Sequence, residues 1–392
     1  MRVDFNVPME KGKIKDNYKI IACLPTIRYL LRYKAKIILI THLGQPKNKE
    51  DKKFSTKPLA NYLGSILGKK IKHVKAVIGF KAEEDIYKMK EGEILMLENL
   101  RFYKEEKKND QKFARRLARL GDIYVNNAFG VCHRTHASVA AVKKYLPSYA
   151  GFLLAEEIKN LIKIANPKKP LVIVIGGAKI TTKLPFLMKL AKKAEYILLG
   201  GGAANAFLCA LGYEIGKSIG RTKNKKTLKE INKYYKQFGK EKNILPVDVA
   251  VGDCETRGRV RIKGVGKILK DEYIYDLGPQ TIKIFAKFIK KAATIIWNGP
   301  LGLFENKKFQ HSTLAIARVI SSRSSGNCFG LAGGGETIEA LHKTKMLPFI
   351  DWVSTGGGAM LAFLAGEKMP GLEGLVKNYR FGASMRFGKG KL

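Results

Sequence analysis

Residues 328–341 read CFGLAGGGETIEAL: an apolar run, three glycines, a carboxylate and then the spacing of an amphipathic helix. The same order of apolar run, GGG and helical pattern occurs at 196–208, YILLGGGAANAFL, and at 352–364, WVSTGGGAMLAFL. Glycine lets a backbone approach a ligand closely, and the first turn of a following helix offers unpaired N–H groups to a phosphate. Tight strand-to-helix packing also uses glycine, but three such stretches in one half of the chain favour a nucleotide site.

Short apolar runs recur along the whole chain and alternate with longer segments of helical period. They predict strands at 35–44, 93–102, 122–130, 170–179, 195–202, 243–251, 293–302, 328–335 and 349–358. Nearly continuous Ile, Leu and Val runs are typical of strands buried on both faces, and the intervening helices imply parallel crossovers. The sequence therefore predicts an α/β chain with doubly wound parallel sheets.

The segment 145–170, YLPSYAGFLLAEEIKNLIKIANPKKP, marks a boundary between domains. It combines a loop, a long amphipathic helix and an exit bounded by proline. We predict a hinge helix at 148–168 between an N-terminal lobe, 1–147, and a C-terminal lobe, 169–371. Both lobes have the size of ordinary domains.

The net charge is +40, from 73 Lys and Arg against 33 Asp and Glu. A field of this sign attracts anions, from phosphorylated metabolites to nucleic acid. The lysines are spread along the chain and no nucleic-acid-binding module is evident, so solvated helix faces are the favoured interpretation. The apolar runs fall short of the ~18 residues of a membrane span, the opening residues lack a secretory pattern, and five isolated cysteines fit the cytoplasm.

Most predicted strands end in a residue that can contact a ligand. Open α/β sheets bind ligands at the carboxyl ends of their strands. Besides the three GGG turns, these residues are His42, Arg101, Asn126, Asn127, Lys179 and Asn298.

Nine motifs, in this order along nearly the whole chain, resemble those of the phosphoglycerate kinase family. They are RVDFNVP (2–8), HLGQP (42–46), ENLRF (98–102), HRTH (133–136), GGAKITTK (176–183), LLGGGAANAFL (198–208), WNGPLGLFE (297–305), AGGGET (332–337) and STGGGA (354–359). The resemblance implies a monomer of two Rossmann-like lobes joined by a hinge helix. The N-terminal lobe would hold 3-phosphoglycerate or 1,3-bisphosphoglycerate, the C-terminal lobe would hold ADP or ATP with Mg²⁺, and the tail, 372–392, would pack on the N-terminal lobe.

The resemblance assigns phosphoglycerate binding to cations at the strand ends of the N-terminal lobe. Asp4 and Asn6 would orient the glycerate, and Arg101 and Arg134 would join His42 in holding the phosphate that is not transferred. Arginine suits this role because its planar fork makes bidentate, charge-assisted hydrogen bonds, although a single arginine is more often part of a surface ion pair. The predicted substrate-binding set is Asp4, Phe5, Asn6, Lys19, His42, Leu43, Gly44, Gln45, Arg101 and Arg134.

Three residues of this lobe depart from the family pattern. Lys19 stands for an arginine near the transferred phosphate, Gln45 for the arginine of HLGRP, and Asn127 for the aspartate of VNDAFG. Lys19 keeps the charge, whereas Gln45 loses a cation, and one charge-assisted hydrogen bond is worth about 1.5–3 kcal/mol. We expect weaker substrate binding or slower turnover. The chain also begins almost on RVDFNVP, which predicts a shortened opening strand.

The resemblance places the nucleotide on the GGG turns of the C-terminal lobe. Lys179 and Lys183 are four residues apart and share a helix face if a helix capped by Thr181 begins between them. Lys183 would contact nucleotide phosphates and Lys179 the transferred phosphoryl group. Glu336 would be the ligand of Mg²⁺, where the family has aspartate, although it also suits the helix dipole. The predicted nucleotide-binding set is Lys179, Lys183, Gly201, Gly202, Asn298, Glu305, Gly334, Gly335, Glu336 and Thr337.

The implied activity is the glycolytic one: reversible, direct in-line phosphoryl transfer from 1,3-bisphosphoglycerate to Mg-ADP, giving 3-phosphoglycerate and ATP, with hinge closure. Lys19 and Lys179 would be the catalytic cations, and no general base is needed because the attacking group is already an anion. The substitutions leave one alternative open, a catalytically weakened relative that binds anions or nucleic acid. They are Lys19, Gln45, Asn127, Thr182 and Glu336.

Overall fold

The computed structural model describes residues 1–47, 51–222, 224–253 and 258–375. The chain divides into two units: Met1–Asn160 with the chain from Gly366 onward, and Leu161–Ala365. None of the helices in these described ranges is both long and apolar enough to span a membrane.

The first unit is built on parallel strands. They are β1 (Arg2–Val3), β4 (Ile37–Leu39), β5 (Lys72–Val74), β6 (Ile94–Leu97), β7 (Tyr124–Asn127) and β8 (Ser148–Ala150), with β2 (Met9–Glu10) and β3 (Lys13–Ile14) forming a separate antiparallel hairpin. The helices are α1 (Tyr18–Arg32), α2 (Lys57–Leu67), α3 (Phe80–Tyr87), α4 (Lys104–Lys107), α5 (Gln111–Ala118) and α6 (Phe152–Ile162), the last of which crosses the division between the units.

Two three-stranded sheets of this unit meet at β1. The orders are β1-β7-β8 and β4-β6-β5, and a parallel bridge joins Arg2 of β1 to Ile40, just after β4. The amide of Val3 donates to the carbonyl of Ile40 at 3.0 Å. Through this bridge, β1, β4, β6 and β7 direct their carboxyl ends to one edge, which is where the polar residues of the first lobe follow.

The second unit carries a six-stranded parallel sheet of order β11-β10-β9-β15-β16-β17. Its strands are β9 (Leu171–Ile175), β10 (Tyr196–Leu199), β11 (Asn243–Ile244), β15 (Thr294–Asn298), β16 (Phe329–Gly333) and β17 (Trp352–Ser354). A second sheet contains β12 (Asp248–Gly252), β13 (Arg261–Gly264) and β14 (Tyr273–Leu277). The helices are α7 (Leu184–Leu190), α8 (Gly201–Ala210), α9 (Lys225–Lys242, interrupted at Gly239), α10 (Pro279–Lys291), α11 (His311–Ser324), α12 (Gly335–Lys343) and α13 (Gly357–Leu364).

The prediction of an α/β chain with parallel sheets is confirmed by the six-stranded sheet, whose strands pair in parallel. All five residues of its strand β9 are fully buried, as the apolar run predicted. The single strand predicted at 243–251 is wrong. It is two strands, because Pro246 lacks an N–H and cannot continue a ladder. β11 lies at the edge of the parallel sheet, and β12 is the middle strand of the antiparallel sheet β13-β12-β14, which was not predicted.

The helix expected over 148–168 is shorter than predicted, because residues 148–150 pair with β7 as strand β8 and α6 begins at Phe152. Near the end of the described chain, Asn126 Nδ2 donates to the carbonyl of Gly371 at 2.9 Å, and the backbone N–H of Gly371 donates to the carbonyl of Cys132 at 2.8 Å. Most of the tail predicted at 372–392 lies outside the described residues.

Candidate active site

The carboxyl end of β1 carries a partly buried ion pair of the first unit. The ammonium of Lys19 in α1 lies 2.8 Å from Asp4 Oδ2, and the ring of His42, just after β4, lies 3.8 Å from Asp4 Oδ1. Both Asp4 and His42 are buried. Three residues predicted to bind substrate from separate segments are therefore adjacent.

His42 is neutral at neutral pH in this environment. Burial lowers its pKa well below the usual value, and the charges of Arg2, Arg101, Lys19 and Arg134 lower it further. The guanidinium of Arg2 lies 3.0 Å from His42 Nδ1. Since a guanidinium only donates, Nδ1 is the acceptor and Nε2 carries the proton. His42 thus offers an N–H donor without adding a full charge.

Arg101 lies among like charges. Its guanidinium donates to the carbonyl of Gly44 at 2.7 Å, and burial followed by the charges of Arg134 and Arg2 lowers its pKa to about 10. Arg134 is exposed, but its charge acts on both Arg101 and His42. An anion at this position would relieve the repulsion between these cations.

Three buried nitrogen atoms of this cluster have no hydrogen-bond partner: Arg2 Nε, Arg101 Nε and His133 Nδ1. His133 and His136 also feel the charges of these cations. Burial is the main cause of their lowered pKa values, about 4 for His133 and about 3 for His136, and neighbouring arginines lower them further. Arg2, His133 and His136 were not among the predicted site residues. All three lie in the quoted motifs RVDFNVP and HRTH, which was the available signal.

The loop after β4 is fixed by its backbone. The amide of Gly44 donates to Asn6 Oδ1 at 2.8 Å, and Leu43 exchanges hydrogen bonds with the side chain of Asn99 at 3.2 and 2.7 Å. Gly44 has φ +59°, and a Cβ there would overlap the ring of Phe54. The side chains of Leu43 and Phe5 are buried in the core, so these two predicted site residues offer a ligand only their backbone.

Asn127 lies at the start of α6 rather than among the cations. Its Oδ1 accepts from the amide of Leu153 at 3.1 Å and from the hydroxyl of Thr26 at 3.3 Å, while its Nδ2 is buried without a partner. An aspartate would make the same two bonds without the unpaired amide nitrogen. The substitution therefore acts on the attachment of α6 to β7.

The second unit forms its candidate site mainly from backbone. Gly176 donates to the carbonyl of Asn298 at 3.0 Å, Asn298 Nδ2 donates to the carbonyl of Gly333 at 2.6 Å, and Gly299 donates to Thr337 Oγ1 at 2.8 Å. These bonds join the ends of β9, β15 and β16.

The glycines of the GGG turns serve different purposes. A Cβ on Gly202 would lie 2.7 Å from the carbonyl of Ala178, and one on Gly357 would lie 2.6 Å from Gly334 Cα, so both positions are required by packing. Gly334 has φ +109°, which side chains rarely adopt. A Cβ on Gly335 would meet nothing within 4 Å. Open space therefore lies in front of α12, where a ligand can reach the helix N-terminus.

Lys183 is buried, whereas Lys179 is exposed. The ammonium of Lys183 donates to the carbonyls of Gly176 and, at 3.3 Å, Asn298. Burial lowers its pKa to about 8, against an opposite effect of Glu336. The predicted shared helix face capped by Thr181 is wrong. Ile180–Thr182 form a 3₁₀ turn, and α7 begins only at Leu184, where Pro185 favours a first helical turn.

Glu336 lies exposed in the first turn of α12. Although the residue as a whole is exposed, partial desolvation of its carboxylate and the nearby charge of Glu305 raise its pKa, and Lys183 opposes them. The described part of the chain holds no group of three or more His, Cys, Asp or Glu residues suited to a metal. Mg²⁺ bound through one carboxylate and substrate phosphates requires no such group, so Glu336 beside the glycine turns fits a Mg-nucleotide.

Comparisons with known proteins agree with this arrangement. The sequence model of the family described as phosphoglycerate kinase matches residues 1–367. The chain is 43% identical over 374 residues to phosphoglycerate kinase of Dictyoglomus turgidum, covering 95% of this chain and 93% of that one. It is 41% identical over 379 residues to that of Moorella thermoacetica, covering 96% and 95%.

Solved structures support the same assignment. Phosphoglycerate kinase from Pyrococcus horikoshii has a TM-score of 0.85 at 33% identity, and that from Coxiella burnetii has 0.78 at 36%; each comparison covers 95% of this chain and 94% of the other. Two parallel α/β units, one with a cationic strand edge and one with glycine turns, define a nucleotide-dependent phosphotransferase. The chain belongs to the phosphoglycerate kinase family.

Proposed function

We propose that this chain transfers a phosphoryl group reversibly from 1,3-bisphosphoglycerate to Mg-ADP, giving 3-phosphoglycerate and ATP. The relatives that it matches over more than nine-tenths of its length are named phosphoglycerate kinases. One observation of its own carries the proposal: Arg2 Nε and Arg101 Nε are buried N–H donors without acceptors. Buried donors without partners are costly, and phosphate oxygens would satisfy them.

The first unit is the proposed phosphoglycerate site. Arg101, Arg134 and the Nε2–H of His42 bind the phosphate that is not transferred, a role supported by their donor groups and by the charges of both arginines acting on His42. Asn6 and Asp4 orient the glycerate. Lys19, now paired with Asp4, stabilises the transferred group as a point cation.

The second unit is the proposed nucleotide site. Asn298, Gly334, Gly335 and Thr337 surround the phosphate chain, and Lys183 supplies a cation beneath it. The remaining members of the predicted set keep their roles as predictions: Lys179 at the transferred phosphoryl group, Gly201 and Gly202 at the adenosine, and Glu305 at the ribose. Glu336 would hold Mg²⁺, which neutralises phosphate charge when bound.

The chemistry needs positioning more than proton transfer. The attacking oxygen is a carboxylate in one direction and a phosphate in the other, so no base has to activate it. Cations directed at the charge of the transition state and exclusion of water supply the acceleration. Because each unit holds one substrate, α6 is the proposed hinge. A monomeric state and a cytoplasmic location stay predictions.

A coupled assay of ATP formation from 1,3-bisphosphoglycerate and Mg-ADP tests the proposal. We expect ATP formation that disappears when Mg²⁺ is chelated. Absence of ATP at saturating concentrations of both substrates would reject the activity and favour the alternative of an anion-binding protein.

A further inference from the structure

Two polar side chains far apart in sequence meet beside the cationic cluster of the first unit. Lys107 Nζ donates to Gln45 Oε1 at 2.9 Å, across 62 residues of chain. Both side chains are exposed to solvent. The bond joins the loop after β4 to the last residue of α4.

The loop end of this contact has little freedom. Gly44, directly before Gln45, is held by Asn6 through its amide at 2.8 Å and by Arg101 through its carbonyl at 2.7 Å. Both partners belong to the proposed phosphoglycerate site. The side chain of Gln45 therefore leaves the backbone at the edge of that site.

The helix end is equally fixed. Glu106, the neighbour of Lys107, is buried and accepts from the amide and the hydroxyl of Ser138 at 2.9 and 2.6 Å. Its carbonyl accepts from the amide of Ala137 at 2.9 Å. Helix α4 thus attaches to the segment that follows Arg134 and His136, and Lys107 projects from a rigid base.

The charge of Lys107 belongs to the same field as the arginines. Burial is the main cause of the lowered pKa of His136, and the charges of Arg101, Arg134, Arg2 and Lys107 lower it further. Lys107 is thus near enough to this histidine to act with the buried cluster. An anion bound by Arg101 and Arg134 would feel its attraction as well.

We propose that Lys107 is a substrate-binding residue of this chain, held by Gln45 at the rim of the phosphoglycerate site as an additional cation for the bound phosphate. The inference rests on the proposed function. Gln45 carries no charge but acts as the acceptor that orients an ammonium group. The competing explanation is an exposed hydrogen bond of no consequence, and such contacts at a surface often contribute almost nothing.

Calorimetric titration of 3-phosphoglycerate into the full chain without nucleotide, at low ionic strength, separates the two explanations. We expect Lys107→Met to raise the Kd by about threefold to tenfold, between the effects of an exposed ion pair and of a charge-assisted hydrogen bond. Lys108→Met is the matched control, because Lys108 is the next exposed lysine, and it is expected to leave the Kd unchanged. The thermal midpoint of both variants should equal that of the wild type.

A rescue variant tests whether the charge itself is responsible. In the Lys107→Met background, Gln45→Arg places a cation on the neighbouring residue and is expected to return the Kd to within about twofold of the wild type. Added salt should weaken binding by the wild type more than by Lys107→Met, because the lost interaction is a screened one.

The outcomes are distinct. Equal Kd values for the wild type, Lys107→Met and Lys108→Met would overturn the inference, whatever the turnover. Binding that depends on Lys107 without any ATP formation would reject the proposed function and keep the inference. Failure of the wild type to bind 3-phosphoglycerate would overturn both.

Discussion

The two units bind their proposed anions by different means. The first surrounds a strand edge with charged side chains, and two buried donors there, Arg2 Nε and Arg101 Nε, remain without partners. The second uses backbone turns joined by hydrogen bonds, with Lys183 as the buried cation. A side-chain site tolerates exchange of single residues at a cost in affinity. A backbone site depends on glycine wherever an added methyl group would collide with neighbouring chain, as at Gly202 and Gly357.

The largest expected effect lies in the second unit. Gly176→Ala would drive a Cβ into the carbonyl of Pro300, and we expect a loss of about 3 kcal/mol or more in the free energy of unfolding. Urea denaturation measures it. Gly335→Ala is the control, since its Cβ would meet nothing within 4 Å, and a helical alanine stabilises by up to about 1 kcal/mol. Equal losses in both variants would contradict the packing argument.

The first unit should respond in affinity rather than in folding. Arg101→Met is expected to lower kcat/KM for 3-phosphoglycerate by about 100-fold, because charge-assisted bonds to the phosphate are lost. The KM for ATP should stay within about twofold, and the variant should fold. Arg115→Met, which changes an exposed arginine of α5, is the control. A comparable fall in kcat/KM for both substrates would show that the substitution disturbs the fold as a whole rather than phosphate binding.

The pH dependence should separate the two sites. Lys183, with a pKa of about 8 caused by burial, loses its charge above that pH, so kcat/KM for ATP is expected to fall. The folded state also binds fewer protons than the unfolded state between about pH 8 and 10.5, so the contribution of Lys183 to stability rises in that range. Steady-state rates from pH 6 to 10 test the first effect. A Lys183→Met variant with the same alkaline fall would disprove the assignment.

A separate pH effect concerns Glu98, at the end of β6. Burial raises its pKa, but hydrogen bonds from His73, Thr56, Ser55 and Asn99 outweigh burial and lower it to about 2. Its ionised form therefore stabilises the fold above about pH 4.5, and this contribution disappears as the pH falls towards 2. Urea denaturation from pH 5 to 2.5 should show a shallower decline for Glu98→Gln than for the wild type. Glu91→Gln, at an exposed position, should decline as the wild type does.

Local sequence patterns were sufficient to predict the parallel strands and the residues that follow each of them. They failed where a strand had no apolar run of its own, as in the exposed β13, and where a proline divided one apolar run into β11 and β12. They also failed at Lys183, because a spacing of four residues indicates a shared helix face only if a helix contains both. The intervening 3₁₀ turn and the burial of one lysine followed from packing against the end of β15.

The sequence by itself determined which residues follow each strand, and hence the family and the class of ligand proposed for each sheet edge. Periodicity and motif order are properties of neighbouring residues and can be read along the chain. Only the tertiary structure decided which glycines are required by packing and which faces open space, which lysine is buried, and that Lys107 lies against Gln45. These depend on contacts between segments distant in sequence, and no local spacing encodes them.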